Sequence, residues 1–348
     1  MFRMRTRNFA WPLSVISATI FCTCHIVNAE TVERVENTIT MAPVQVVANR
    51  PPPMWEFTKE GKKIVLFGSH YPLLRDVQFN KALVERYAEQ ADVFVLGPGL
   101  VVDDSVSLWR GFALYSSIKK AQINPQNKTL KDVLPEHIYK RWEDHKTRYI
   151  GRNDKVDRKR PMYAAYELYR KAIKRVDISN DSYIVDLVER LAEKSGTELV
   201  DARLHIPVAS NKSTAKNFVV PLSDDIACLE DTLDTIDVFL QYAPSAADAW
   251  ANGDIDRYRH EIGQYPQPTF CWARLTNQSL ASLAGVDNAH AKVPDHWIDV
   301  VYAQTEQHEV IFSYASARDI MENRGITERL LEDGWRMEPI TIRPDDNK

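Results

Sequence analysis

A histidine follows directly after one of the most apolar runs of the chain, in the segment Phe67-Gly68-Ser69-His70-Tyr71-Pro72. If that run is a buried strand, the turn behind it presents its side chains to a cleft, where an imidazole can hold a metal ion or move a proton. A structural loop histidine is the alternative interpretation. Ser69 lies next to it, but adjacent side chains point in different directions and no GxSxG motif occurs. The segment makes His70 the candidate catalytic or ligand-binding residue.

The remaining histidines form no pattern typical of a metal site, because the chain has no HExxH motif and no clustered Cys and His residues. His137 and His145 would lie about 12 Å apart along a helix, which is too far to share one ion. Both are predicted to be surface residues.

Glycine is scarce, with 12 residues, and neither GxGxxG nor the P-loop motif GxxxxGK occurs. The sequence therefore argues against dinucleotide and P-loop nucleotide chemistry.

The elements that would position His70 begin with the run Lys63–Phe67, which predicts a buried strand. A helix is predicted near residues 80–90, with Leu83 and Tyr87 one turn apart on the same face. A second apolar run at 93–96 ends at Gly97-Pro98-Gly99 and predicts another strand. Strand, helix and strand thus follow each other within about 40 residues, as a βαβ unit requires.

The C-terminal part repeats this arrangement. Residues 310–312 predict a strand, 326–332 a helix that ends at Gly334, and 335–342 a closing strand. If both units lie in one sheet, the loops after Phe67 and Phe312 are equivalent and face one cleft, since ligands bind at the carboxyl ends of parallel strands.

A mostly helical insertion, at about 129–262, separates the two units. Helices are predicted at 135–149, from Pro161, from about 181 to 194, and at 223–242 and 246–258, with strand-like residues at 198–208. The predicted fold is α/β, a mixed sheet built from N- and C-terminal β-α-β units around this insertion.

Charge is unevenly distributed within the insertion, although the whole chain has a mild net charge of −4. Residues 140–175 are rich in Lys and Arg among aromatic side chains, and residues 224–261 are rich in Asp and Glu. Basic and aromatic residues together can bind nucleic acid, or anionic lipid and polysaccharide outside the cell. The preferred interpretation is a solvated helical face that packs against the acidic stretch, with no nucleic-acid partner.

Residues 1–29 have the features of a secretory signal peptide. Arg3, Arg5 and Arg7 precede an apolar stretch, which ends in Val27-Asn28-Ala29. A transmembrane anchor is the alternative, although Cys, Thr and His interrupt the stretch. We expect cleavage near Ala29 and an exported protein, periplasmic or secreted. Residues 30–53 are predicted to be an extended leader that ends in three prolines.

Cleavage would remove two of the four cysteines and leave Cys228 and Cys271. Two cysteines in an oxidising compartment most often pair, and such a disulfide would stabilise the fold by roughly 3–4 kcal/mol. Two buried free thiols are the alternative.

Several motifs resemble those of the TraB/GumN family, relatives of the TIKI metalloproteases. The segment Pro53-Met54-Trp55-Glu56-Phe57 is similar to the opening of that family, and residues 129–135, Thr-Leu-Lys-Asp-Val-Leu-Pro, resemble its TLxDLLPPE segment. Residues 249–254, Ala-Trp-Ala-Asn-Gly-Asp, resemble its AWxxGD segment, and residues 325–335 resemble its C-terminal helix between glycines. The resemblance covers about 53–340, so residues 54–348 are expected to form a single domain of TraB/TIKI/ChaN-like fold.

The resemblance implies a divalent metal, such as Zn, Mn or Co, held by two GxxH loops and by a glutamate that ends the second strand. Aligned on Gly68, this sequence has Tyr71 at the ligand position, with His70 one residue early. The glutamate position falls on Gly97, and the second GxxH corresponds to Ser313-Tyr314-Ala315-Ser316. The metalloprotease activity therefore does not carry over.

The expected function is that of an exported pseudoenzyme or envelope-associated binding protein without a cofactor. Its candidate cleft residues are Gly68, Ser69, His70, Tyr71, Gly97, Ser313 and Ser316. The candidate partners are an envelope protein, a peptide, or an anionic lipid or polysaccharide, and no oligomeric state is predicted. The alternative is a divergent metal-dependent hydrolase or peptidase that uses His70.

Overall fold

A six-stranded mixed sheet forms the centre of the computed structural model, which describes residues 50–103, 122–179, 183–207, 220–265 and 288–341. The strands are β1 (Met54–Lys59), β2 (Lys62–Ser69), β3 (Leu73–Leu74), β4 (Val93–Val95), β5 (Leu100–Asp103), β6 (Ile178–Ser179), β7 (Leu199–Val200), β8 (Leu204–Pro207), β9 (Val310–Ser316) and β10 (Arg336–Pro339). The order in the sheet is β10-β1-β2-β9-β4-β7. Strands β3 and β6 form a small antiparallel pair, and β5 and β8 a small parallel one.

The middle of the sheet is parallel. Strand β9 lies between β2 and β4 and runs parallel to both, whereas β1 is antiparallel to β2 and β10. The central strands have continuous apolar segments such as Ile64–Phe67, which are fully buried because helices cover both faces of a parallel sheet. The predicted α/β class with a mixed sheet is thereby confirmed.

The helices, numbered along the chain, are α1 (Ala82–Glu89), α2 (Leu130–Val133), α3 (Glu136–His145), α4 (Pro161–Ile173), α5 (Tyr183–Ser195), α6 (Leu222–Ala251), α7 (Ile255–Gly263), α8 (Ala289–Gln307), α9 (Ala317–Met321) and α10 (Ile326–Glu332). The predicted helices of the insertion are present. The prediction of two helices at 223–242 and 246–258 was wrong in detail, because the first helix continues through Pro244 to Ala251. The chain breaks instead at Gly253, whose positive φ of 62° ends the helix.

The register between β2 and β9 corrects one expectation about the cleft. Strand β9 does not end at Phe312 but continues to Ser316, with Ser313 paired opposite Leu66. Ser313 is fully buried inside the strand, because its small side chain fits the packed sheet. The two strands end together at Ser69 and Ser316, so the equivalent turns begin at His70 and Ala317.

The basic and acidic stretches of the insertion pack against each other, as the preferred interpretation expected. Arg148 contacts Asp237 of α6 at 2.6 Å, and Arg141 pairs with Asp234 of the same helix. Arg160 pairs with Asp225, a fully buried carboxylate. These three arginines therefore have partners within the fold.

Some expectations concern residues outside the described ranges. The signal peptide and residues 30–49 of the leader are among them, and so is Cys271. Cys228 is buried in α6, and its pairing with Cys271 stays a prediction. Within the described part of the chain, no helix has the length and apolar character needed to cross a bilayer.

Candidate functional site

The ends of β2 and β9 place four chemically active side chains around one small cavity. His70 follows β2, and Arg318 lies in the first turn of α9, which begins directly after β9. Tyr258 from α7 and Tyr265, which follows that helix, close the other side. Three separate parts of the chain thus meet at the carboxyl edge of the sheet, the usual ligand-binding edge of parallel α/β folds.

His70 is a buried, neutral imidazole. Only 7% of the residue is exposed, and its Nδ1 lies 3.0 Å from the hydroxyl oxygen of Tyr258. Burial lowers the pKa of His70 to about 3, and the charge of Arg318 adds to this shift. Its Nε2 has no hydrogen-bond partner. The side chain therefore carries one buried polar atom without a partner among the described residues.

Arg318 is the cation of this site. Its Nη2 donates a 3.0 Å hydrogen bond to the carbonyl oxygen of Tyr265, and its guanidinium carbon lies 5.3 Å from the centre of the Tyr265 ring. Its Nε lies 3.7 Å from a carboxylate oxygen of Glu322, whose side chain is 44% exposed. The positive charge is thus held inside the fold mainly by neutral groups.

The cavity between these residues has a volume of about 80 Å³ and is lined by Ser69, His70, Tyr71, Tyr258, Ile262, Tyr265, Ser316 and Arg318. None of these residues is acidic. A second cavity of about 380 Å³ lies at the ends of β4 and β9 and also includes Ser316 in its wall. We refer to the two cavities together as the strand-end cleft.

The segment Ala-Trp-Ala-Asn-Gly-Asp positions Tyr258 in this cleft. Trp250 Nε1 donates to the carbonyl oxygen of Gly68 at 2.7 Å, which fixes the end of α6 against β2. A Cβ atom on Gly253 would lie 2.2 Å from the carbonyl oxygen of Pro51, so only glycine allows the proline-rich segment to pass. Asp254 then caps α7 by accepting from the backbone N–H of Arg257. This motif therefore orients the helix that carries Tyr258.

Besides His70, the sequence names six candidate cleft residues. Four of them lie in or next to the small cavity, and two do not. Ser69, Tyr71 and Ser316 line the small cavity, and Gly68 precedes it in β2. Ser313 is enclosed in β9. Gly97 follows β4, where a Cβ atom would come within 2.4 Å of the Tyr314 carbonyl oxygen. The backbone at this position has no room for the glutamate that the family resemblance implies.

Tyr258, Tyr265 and Arg318 are the site residues that sequence reasoning missed. Burial raises the pKa of both phenols, that of Tyr265 to about 12, so both keep their protons.

The pairing register of β2 and β9 is the one feature that points to Arg318 as a site residue. Gly68 pairs with Ala315, so Tyr71 and Arg318 occupy corresponding places three residues further along. Alignment on Ser313 instead of Ala315 concealed this correspondence.

The residues around the small cavity do not fit the divalent metal that the family resemblance implies. They offer one imidazole, His70, with a guanidinium beside it, whereas protein zinc sites use about three ligands. A permanent positive charge next to the imidazole repels a second cation. Throughout the described ranges, no three His, Cys, Asp or Glu side chains form a group that could hold a metal ion.

Comparison with known proteins assigns the family. Residues 53–339 match the model of the TraB/PrgY/gumN family, a range that extends from β1 to β10 and includes every element of the cleft. Neither a curated protein nor a solved structure matches the chain significantly. The family match covers most of the sequence and agrees with the motifs at 53–57, 129–135 and 249–254. The chain belongs to the TraB/PrgY/gumN family.

Proposed function

We propose that this chain is an exported binding or accessory protein of the cell envelope, and that its ligand occupies the strand-end cleft. It would not act as a metal-dependent protease. The observation that carries the proposal is that a neutral, buried His70 and the cationic Arg318 line one cavity at the carboxyl edge of the sheet. Such a site supplies hydrogen-bond donors and positive charge, which bind a ligand without a metal ion.

Hydrolysis would need a group to activate water, and the described site offers none of suitable chemistry. With a pKa of about 3, His70 is a poor general base near neutral pH, because efficient bases titrate near the working pH. Tyr258 keeps its proton because burial raises its pKa. Ser69 donates its hydroxyl proton to the carbonyl oxygen of Ala315, at 3.0 Å. These residues are suited to holding a ligand in place.

The helical insertion is a weaker candidate for the binding surface. Anionic lipid or polysaccharide would need free cationic side chains on residues 140–175. Arg141, Arg148 and Arg160 instead pair with carboxylates of α6, and each pair reduces the charge available to a partner. This observation favours the cleft over the basic stretch.

A metal-binding experiment tests the proposal. Purified mature protein is titrated with Zn²⁺, Mn²⁺ and Co²⁺ in a calorimeter, beside the variants His70→Ala and His137→Ala. His137 is the matched control because it is an exposed histidine of α3. We expect no stoichiometric binding that depends on His70. A metal bound at one equivalent by wild type and by His137→Ala, but lost in His70→Ala, would overturn the proposal and support the divergent hydrolase.

A fractionation experiment tests export independently. The sequence pattern of residues 1–29 supports cleavage near Ala29, which gives a mature chain that begins at Glu30. We expect the protein in the periplasmic or secreted fraction, and mass spectrometry of its N-terminal peptide to start there. An intact N-terminus in the cytoplasmic fraction would contradict export but would leave the cleft unaffected.

A further inference from the structure

The charge around the small cavity has a definite sign. Of the residues that line it, Arg318 is cationic, His70 is neutral and none is acidic. Glu322 contacts the Arg318 Nε from outside the lining, and Asp319 pairs with Arg324 at 3.1 Å. The wall that a ligand would meet therefore carries one positive charge, that of Arg318, and no negative charge.

The hydrogen-bonding atoms of the cavity are mainly donors. A phenol is a better donor to an imidazole nitrogen than an imidazole N–H is to a phenol oxygen, so we assign the Tyr258 hydroxyl as donor to His70 Nδ1. The neutral ring then carries its proton on Nε2, which has no acceptor. This N–H is a donor without an acceptor, and its residue lines the same cavity as Arg318.

The size and charge of the cavity define the ligand class. About 80 Å³ corresponds to the volume of roughly two to three water molecules, enough for a carboxylate group on a short stem. A single cation balances a monovalent anion, and the planar guanidinium matches a carboxylate with two hydrogen bonds. A divalent phosphate would leave uncompensated charge in the buried site.

We infer that the cavity between His70, Tyr258 and Arg318 binds the carboxylate group of an organic acid. This inference rests on the proposed function, because it names the ligand class of the same cleft. The carboxylate belongs either to a free small acid or to the C-terminus of a peptide. Tyr71, which is 45% exposed, brings the cavity wall to the protein surface, where the rest of such a ligand would lie.

An NMR titration of protein labelled with ¹³C at the histidine rings tests the inference, since the His70 signal is identified by its loss in His70→Ala. The probes are sodium acetate, inorganic phosphate, methylammonium chloride and zinc chloride. We expect acetate to shift the His70 signal in a saturable way with a Kd of about 1 mM, as befits so small a ligand. Methylammonium and zinc should leave it unchanged, and phosphate should bind at least tenfold more weakly.

Variants show whether Arg318 holds the carboxylate. Arg318→Gln should weaken acetate binding at least tenfold, because a charged hydrogen-bond donor is lost. Arg318→Lys keeps the positive charge but lacks the planar guanidinium, so it should bind acetate with intermediate affinity. It also tests the role of Arg318 if Arg318→Gln fails to fold. Arg329→Gln is the matched control, because Arg329 pairs with Asp295 and lines neither cavity of the cleft. Its acetate affinity should equal that of wild type.

Two further probes distinguish the sources of the carboxylate. A short peptide with a free C-terminus and its amidated form are compared with acetate. A peptide that binds more tightly than acetate only in its free-acid form identifies a C-terminus as the ligand, whereas equal weak binding of both peptides identifies a small free acid.

Two outcomes overturn the inference in different ways. No His70 shift with any carboxylate, or equal acetate affinity in wild type and Arg318→Gln, contradicts the carboxylate site and leaves the proposed function standing. Zinc binding that shifts His70 at one equivalent contradicts the proposed function itself.

Discussion

Among the described residues, Arg160 and Arg318 have side chains that are largely buried, and their charges are balanced in different ways. Arg160, whose side chain is 12% exposed, pairs with the fully buried Asp225 and donates to the carbonyl oxygen of Val220. Arg318, whose side chain is 10% exposed, has as its partners a carbonyl oxygen and Glu322, whose side chain is 44% exposed. Burial raises the pKa of Asp225 to about 6 although Arg160 opposes the shift, so the pair is ionised above that pH.

The difference indicates that the charge of Arg160 stabilises the fold, whereas that of Arg318 is available to a ligand. Arg160 links α4 to α6, and its counterion is part of the fold. Arg318 lies beside a cavity and an imidazole with an unpaired nitrogen. A largely buried cation whose carboxylate partner is 44% exposed is only partly compensated, and a ligand anion would add to that compensation. We therefore interpret the insertion as a structural scaffold, and the carboxyl edge of the sheet as the region where a charged side chain and an unpaired nitrogen can bind a ligand.

The largest expected effect comes from breaking the balanced pair. At pH 8, Asp225→Asn should lower the free energy of unfolding by about 3–5 kcal/mol, because Arg160 loses its buried counterion. Urea denaturation measures this loss. Asp224→Asn, at the exposed neighbouring position, is the control and should change stability by less than about 0.5 kcal/mol. Equal stability of both variants would show that Arg160 needs no internal counterion.

The next effect is the acid sensitivity that His70 confers. Its folded pKa of about 3 lies below the unfolded value of 6.5, so the unfolded chain takes up a proton first and stability falls as pH decreases between these values. From pH 6.5 to 4.5 this contribution amounts to about 2–3 kcal/mol. Denaturation curves of His70→Ala should be flatter than wild type over that range, whereas His137→Ala should keep the wild-type slope. Parallel pH profiles for all three proteins would refute a neutral, buried His70.

Removing the phenol that orients His70 should have a smaller effect. Tyr258→Phe leaves Nδ1 without its partner and should cost about 1–2 kcal/mol of stability, as expected for an unsatisfied buried acceptor. Tyr87→Phe in α1, at a partly exposed tyrosine, is the control. If both variants unfold at the same urea concentration as wild type, the hydrogen bond between Tyr258 and His70 does not stabilise the site.

The smallest expected effect concerns the carboxylate partner of Arg318. Glu322→Gln removes the carboxylate that contacts Arg318, and stability should change by at most about 0.5 kcal/mol because the contact is partly exposed. Thermal or urea denaturation measures it. A loss comparable to that of Asp225→Asn would mean that Glu322 is the true counterion of Arg318 and that the two arginines are balanced alike.

Much of the fold is predictable from local patterns. Strands β2 and β4 are predicted by the apolar runs at 63–67 and 93–96, and helix α10 by the helical segment that ends at Gly334. Buried parallel strands and capped helices have such strong local signals in the sequence. Strand β1 and helix α8 were missed. Strand β1 follows directly after the three prolines of the predicted leader, and α8 has Pro294 in its interior, where a helix is not expected.

The site was predictable only in part, because its geometry depends on contacts between distant segments. His70 stands out by its place after β2, but its partner Tyr258 lies 188 residues further along the chain. Arg318 could be found only from the register of β2 and β9, and Ser313 and Ser316 interrupt the apolar run that would have shown the length of β9.

A crystal structure of the mature protein, grown with both acetate and zinc and measured at the zinc absorption edge, tests the central claim most directly. The account predicts planar density of an acetate ion against the Arg318 guanidinium and the Nε2 of His70, without an anomalous peak in the cavity. An anomalous peak ligated by His70 at that position would contradict it.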